Sequence, residues 1–297
     1  MQIGIGLPSY IRGATLEQIT EVARRAESNG FASLGTIDRL VYANYDPLIA
    51  LTAAASVTRR IGLVTCVLLA PYRNTAVLAK QAASLDRLSG GRLTLGVGLG
   101  GRAEDYEAAG TTTRGRGLRL SEQLRELRRI WQGESRGFAG AIGPAPARQG
   151  GPALLVGGDS APALQRMARY ADGFVGRAGG ASSFAQHRER ACTAWRAANR
   201  SGEPYGIGIT MFGLGPQAKD EVRRVLVDYY AYAGTHAERI AGSALLSVEA
   251  IQTEIEEFDA AGCDQLIIAP AMPDPGQVDL LAAAVKHTNV SQSLVVH

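Results

Sequence analysis

Short apolar runs alternate with longer stretches of helical periodicity along the whole chain, and this alternation constrains the fold more than any other feature. The first run, at 3–7, is followed by Leu16, Ile19, Val22, Ala23 and Ala26 at helical spacing, and Asn29-Gly30 closes that helix. Further strands read at 31–37, 61–69, 93–99, 153–156, 173–175, 206–214 and 264–269. Helices fall between them at 47–58, 75–88, 118–131, 162–171 and 184–199. Two more read at 220–233 and 248–261, and a last at 278–287. Strand–helix units in series build parallel sheets, because each crossover helix carries the chain back to where the next strand must start. Eight such units in 297 residues predict an α/β fold, a closed (β/α)8 TIM barrel forming one domain over 1–297. An open doubly wound sheet of this length more often divides into domains.

Two connections exceed what a barrel needs. Residues 133–152, after the strand 4 unit, are rich in Gly and Pro, and two helices separate strands 7 and 8. Loops of that length are usually lids, binding walls or disorder. The second insertion carries Tyr229, Tyr230 and Tyr232. Those rings would either wall an apolar pocket or pack a surface helix.

Composition narrows the function. Lys plus Arg number 31 against 28 Asp plus Glu, a net charge of +3 with no basic run, which argues against a nucleic-acid-binding face. The three cysteines (Cys66, Cys192, Cys263) include no CxxC pair, and the four histidines show no metal-ligand spacing. They read as free thiols in a reducing cytoplasm, with no metal site. No basic segment leads into an apolar stretch at the N-terminus, and nothing approaches 18 consecutive apolar residues, so neither a signal peptide nor a membrane span is expected.

In a barrel enzyme the site forms where the strands end, since those loops share one mouth. That rule selects Asp38, Cys66, Val67, the run from Gly98 to Arg102, Glu104, the run from Gly157 to Ser160, Arg177, Met211 and Pro270. The Gly98-Leu99-Gly100-Gly101 run lets a flat ring approach the backbone, or simply makes a tight turn. Gly157-Gly158-Asp159-Ser160 opens a helix whose free N–H groups could hold a phosphate; Ser160 could equally be an N-cap. Asp38 could orient a ligand or belong to a surface turn with Arg39. Cys66 reads as structural rather than nucleophilic, because no histidine lies near it in sequence.

Several blocks resemble the bacterial luciferase-like superfamily. They are Pro71-Tyr72-Arg73-Asn74, Leu78-Ala79-Lys80-Gln81, Ala83-Ser84-Leu85-Asp86, Leu88-Ser89-Gly90-Gly91-Arg92 and Leu95-Gly96-Val97-Gly98. Asp38-Arg39-Leu40, Asp105-Tyr106-Glu107-Ala108-Ala109-Gly110 and Ala171-Asp172-Gly173 add to the match, which runs to about residue 176 and more loosely through Ala261-Gly262-Cys263-Asp264. The resemblance implies a flavin-type cofactor, reduced FMN or coenzyme F420, lying across the mouth with its ring against the end of strand 3. It places Asp38, Cys66, Val67, Gly98, Leu99, Gly100, Gly157, Gly158 and Ser160 at cofactor contacts, and implies a cis Cys66–Val67 peptide.

Two departures bear on mechanism. Many flavin-type relatives carry Arg where this chain has Leu99, and several carry His where it has Arg39. The first change weakens the case for FMN phosphate and leans toward the deazaflavin. The second leaves Arg39, acting by charge, and Glu104, acting by proton transfer, as the candidate catalytic residues. The leading expectation is a monooxygenase using reduced FMN and O2 on a small, hydrophobic organic substrate, with a separate flavin reductase as partner and a homodimer as its assembly. The alternatives are F420-dependent hydride transfer and a flavin-binding protein without turnover.

Overall fold

The computed structural model describes residues 1–177 and 179–286, and in it eight parallel strands close into a ring. They are β1 (Gln2–Gly6), β2 (Ser33–Thr36), β3 (Gly62–Thr65, resuming at Leu68–Leu69), β4 (Leu93–Gly98), β5 (Ala153–Gly157), β6 (Gly173–Val175), β7 (Tyr205–Phe212) and β8 (Gln265–Pro270). Ile5 lies opposite Leu34, Leu34 opposite Leu63, and Leu63 opposite Leu93. The ring shuts where β8 pairs with β1, Ile3 facing Leu266. Among the described residues no strand is left with a bare edge, so the fold is a (β/α)8 barrel and not an open sheet.

Around it run α1 (Leu16–Ser28), α2 (Pro47–Ser56), α3 (Thr75–Leu88), α4 (Ala103–Ala108), α5 (Arg116–Trp131), α6 (Ala161–Tyr170), α7 (Gly180–Ala197), α8 (Ala218–Tyr229), α9 (His236–Gly242), α10 (Val248–Ala260) and α11 (Gly276–Val285). Local chemistry starts several of them. Thr15 and Gln18 form a reciprocal capping box at α1, Asp46 caps α2 ahead of Pro47, and Asn74 caps α3. Alternation along each strand then sorts the side chains. Leu95, Val97, Leu154, Val156, Leu266 and Ile268 point outward, into one layer with Val22, Leu51, Leu78, Leu124 and Phe258 of the helices. Burying each Leu or Ile there contributes about 1.5–3 kcal/mol.

The inward positions fill the ring itself. Val64, Leu155, Val175, Ile207, Ile209 and Ile267 pack together there. Small residues opposite make this fit: a Cβ on Gly35 would lie 2.7 Å from Ile267, and one on Gly96 would lie 2.2 Å from the Thr65 carbonyl. The barrel is therefore a packed core, and the site must sit at its rim.

The two long connections diverge. Residues 132–152 precede β5 and are pinned to α3, where Asp86 accepts from the Ala147 amide at 2.8 Å and Lys80 donates to the Gly143 carbonyl at 2.8 Å. Ala147 and Arg148 lie beside Gly91, at the N-terminal end of β4. This segment faces away from the strand C-termini, so it is no lid. The other insertion leaves β7 at its C-terminal end and comes back over the mouth. Its helix predicted through 233 stops at Tyr229, with a 3-10 turn at Ala231–Ala233, and α9 follows. Helices α4 and α9 are too short to show a periodic stripe, which is why the sequence pattern misses them. The predicted end of the last helix, His287, lies outside the described residues. No described helix is long and apolar enough to cross a membrane.

Candidate active site

The third strand breaks at Cys66–Val67, and that peptide bond is cis. Cys66 turns into the barrel, 7% exposed among Val64, Ile209 and Ile267, and burial pushes its thiol up to about 12. Val67 turns toward the rim, where the glycines at the ends of β4 and β5 meet it. A Cβ on Gly98 would lie 2.5 Å from a Val67 methyl, and one on Gly157 would lie 3.1 Å away. Gly98 and Gly157 thus make room first for Val67, which forms an apolar floor between them. Gly100, at φ +70°, turns the chain over Leu69.

Asp38 lies behind this floor, its side chain 1% exposed. One carboxylate oxygen accepts from the Leu69 amide at 2.9 Å, Arg73 at 2.9 Å and the Tyr72 hydroxyl at 3.2 Å. Burial pushes the Asp38 carboxyl up, while Arg73 and the Leu69 amide pull it back. Burial alone would lower Arg73, but Asp38 and Asp46 outweigh it and hold the guanidinium firmly charged. The surface-turn alternative for Asp38 fails: this carboxylate anchors the resumed end of β3. Its partner Arg73 stood in the sequence only as part of a family block, 35 residues away.

Arg39 and Glu104 come together, with the guanidinium 3.4 Å from the carboxylate. Arg39 also donates to the Tyr229 carbonyl at 3.1 Å and stands 4.8 Å from the Tyr42 ring. Asp105, 1% exposed, accepts from the Leu40 and Val41 amides at 3.1 and 2.7 Å, tying the loop that carries Arg39 to α4. The tyrosines of the second insertion join two from the β1 and β2 loops in a continuous chain over the mouth: Tyr10 packs edge-on against Tyr229, which does the same with Tyr42 and Tyr230. Beneath them the Tyr10 hydroxyl donates to the Pro270 carbonyl at 2.9 Å. These contacts bear out the packing reading of the rings.

The β5 side differs in character. Ser160 caps α6, accepting from the Ala163 amide at 3.4 Å, and it and Gly158 are exposed. Leu99 points into the core and its carbonyl accepts from Tyr106, so it offers nothing to an anion. Arg116, from the start of α5, instead donates to the Gly100 carbonyl at 2.9 Å and sets a cation beside the same turn. Sequence spacing gave no signal for Arg116, which reaches the turn from 16 residues on. An apolar floor, an exposed helix N-terminus with its serine, and a neighbouring guanidinium fit a planar ring carrying a phosphate tail.

Comparison with known proteins bears on the fold and the family. A monooxygenase from Streptomyces bottropensis superposes with a TM-score of 0.76 at 20% identity, covering 97% of this chain and 98% of its own. An F420-dependent secondary alcohol dehydrogenase solved with an F420–acetone adduct gives 0.78 at 18% identity, covering 96% and 98%. At these identities the likeness establishes the fold. An uncharacterized protein of Mycobacterium tuberculosis is 34% identical over 182 residues, 52% of this chain and 63% of the relative. An FMNH2-dependent dimethylsulfone monooxygenase of Pseudomonas putida is 26% identical over 215 residues, 69% of this chain and 58% of the relative. The aligned region thus spans less than two thirds of either relative's length. The profile described as luciferase-like monooxygenase matches residues 1–266, from β1 into the start of β8, and the chain belongs to that family.

Proposed function

We propose that this protein is a flavin-dependent monooxygenase that takes reduced FMN from a separate reductase and uses O2 to oxidise a small organic substrate. The observation that carries this reading is the rim itself: Val67 seated between Gly98 and Gly157 as a floor for a flat ring, next to the Ser160-capped end of α6 for its phosphate. When bound, the reduced flavin would supply the electrons for oxygen chemistry. The chain's own residues would do the rest. Gly158 and Ser160 would hold the phosphate with Arg116 alongside, Val67 and Leu69 would support the ring, and the Tyr10–Tyr229–Tyr230 cover would keep bulk water from the reacting face.

The strand-end carboxylates favour this chemistry over hydride exchange with F420. Asp38, Glu104 and Asp159 each face an arginine, at 2.9, 3.4 and 3.5 Å. Hydride transfer to or from a carbonyl needs an acid or base at the substrate oxygen, and an ion-paired carboxylate serves poorly. Arg39 would act here by charge, and Glu104 by holding Arg39 in place.

Titration of the purified protein with FMN, reduced FMN and F420, read by absorbance and fluorescence, tests the proposal. The expected result is saturable binding of reduced FMN, followed by O2-dependent oxidation of an apolar substrate from a panel. Selective F420 binding with hydride exchange would replace this reading with the deazaflavin one. Flavin binding without turnover on the panel would assign a carrier role.

A further inference from the structure

One charge at the rim has no part in the flavin reading. Arg102 follows the glycine run after β4 and opens α4; it is 7% exposed, and its Nε has no hydrogen-bond partner among the described residues. No carboxylate forms an ion pair with it among the described residues. What it touches is aromatic: its guanidinium lies 3.8 Å from the Tyr232 ring centroid and 5.3 Å from that of Tyr229. Its neighbours differ. Arg73 holds Asp38 and Asp46, Arg116 holds the Gly100 carbonyl, and Arg39 holds Glu104 and the Tyr229 carbonyl. Even so, the Arg39 Nε is also without a partner, and Arg39 stands 5.9 and 5.8 Å from the Tyr229 and Tyr232 rings. Two guanidiniums therefore share the same two rings at the mouth, and one of them meets no anion.

A buried guanidinium gives up its hydration, and ring faces return only part of that loss. Its planar fork matches a carboxylate, which it can hold through two parallel hydrogen bonds. We infer that Arg102, with Arg39 behind it, receives a carboxylate on the substrate, while Tyr229 and Tyr232 bear on the apolar body next to that group. This rests on the reading of the mouth as a substrate site. A cofactor tail could also bring an anion, but the groups around Arg102 come from the β2 loop and from the insertion between β7 and β8. The phosphate turn follows β5, which pairs with the strand that carries Arg102, so the cofactor-affinity arm of the test separates the two sources.

Calorimetric titration of the intact protein with benzoate, and with benzamide as its neutral counterpart, tests the assignment. Benzoate should bind saturably and at least about tenfold more tightly than benzamide. Arg102→Gln should weaken benzoate by about tenfold or more, and Arg102→Lys by less, since the charge stays and the fork is lost. The affinity for FMN or F420 should not move in either variant. The exposed Arg24→Gln, on α1, should behave as wild type. Without ligand, Arg102→Gln should melt at or above the wild-type temperature, because it removes a charge that nothing balances. The proposal is overturned if benzoate fails to bind or binds no better than benzamide. It is equally overturned if Arg102→Gln lowers the melting temperature while benzoate affinity holds, which would make the residue structural. Loss of FMN or F420 affinity in that variant would assign Arg102 to the cofactor tail and overturn it too. Should wild type bind benzoate through Arg102 but neither cofactor, the flavin reading falls and the carboxylate site stands.

Discussion

Arg73→Met would isolate the buried pair that anchors the resumed end of β3. Without Arg73, Asp38 keeps only the Leu69 amide at 2.9 Å and the Tyr72 hydroxyl at 3.2 Å, in a site where its side chain is 1% exposed. The carboxylate would then either stay charged without its counter-ion or take up a proton. Breaking a buried pair from one side costs about 3–5 kcal/mol. Protonation sets the ceiling: holding neutral a group of ordinary pKa about 3.9 costs about 4 kcal/mol at pH 7 and about 1.5 kcal/mol at pH 5. A folded-state value raised above the unfolded one contributes stability below the unfolded value and loses it as pH rises. The deficit of Arg73→Met should therefore grow from pH 5 to pH 7. In melting temperature that is about 3 °C at pH 5 and about 8 °C at pH 7, taking about 2 °C per kcal/mol for a chain of this size. Urea denaturation and calorimetry at both pH values measure it. Asp38→Asn in the same chain should recover part of the loss, because no charge is then stranded. A deficit below about 1 kcal/mol at pH 7, or one that does not change with pH, would refute the reasoning. So would two substitutions whose effects simply add.

Three further outcomes follow from the same contacts. Gly98→Ala would place a Cβ 2.5 Å from a Val67 methyl, costing about 1–3 kcal/mol, and Val67→Ala in the same chain should restore most of it in urea melts; additive losses would mean the two residues do not share that space. Ser160→Ala should cost about 0.5–1 kcal/mol as a lost cap, and should weaken FMN about tenfold while leaving riboflavin unchanged, which fluorescence titration of both flavins separates. His187 is 4% exposed against Phe174, and neither ring nitrogen has a hydrogen-bond partner among the described residues; burial pushes its pKa below the ordinary value. Its neutral form contributes stability above about pH 6.5 that is lost as pH falls, so His187→Phe should flatten the stability slope between about pH 7.5 and 5.5; an unchanged slope would discount it.

Parts of the site are legible in the sequence. Glycine runs and strand ends placed Asp38, Val67, Gly98, Gly157 and Ser160 at one rim, because barrel topology brings every strand C-terminus to the same end. Their partners were not legible. Gly98 and Gly157 suggested space for a ligand, yet the space belongs first to Val67, from a strand about 30 and 90 residues earlier in the chain. Arg39 and Glu104, named separately as catalytic candidates, form one ion pair across 65 residues. The Gly- and Pro-rich 133–152 connection reads by its length as a lid, a binding wall or disorder, but a segment that leads into a strand must approach that strand's N-terminal end.

What the chain's order of residues determines here is everything set by local periodicity. The strand–helix alternation, the caps at Asp46, Asn74 and Ser160, and hence a closed parallel ring, all follow from choices made within a few turns or a few residues. Tertiary structure decides which side chains meet across the mouth. It seats Val67 between two glycines, binds Asp38 to Arg73, and leaves Arg102 against Tyr229 and Tyr232 without an anion. Those pairings depend on strand register and on how an insertion folds back, and neither quantity is written in the spacing of any single segment.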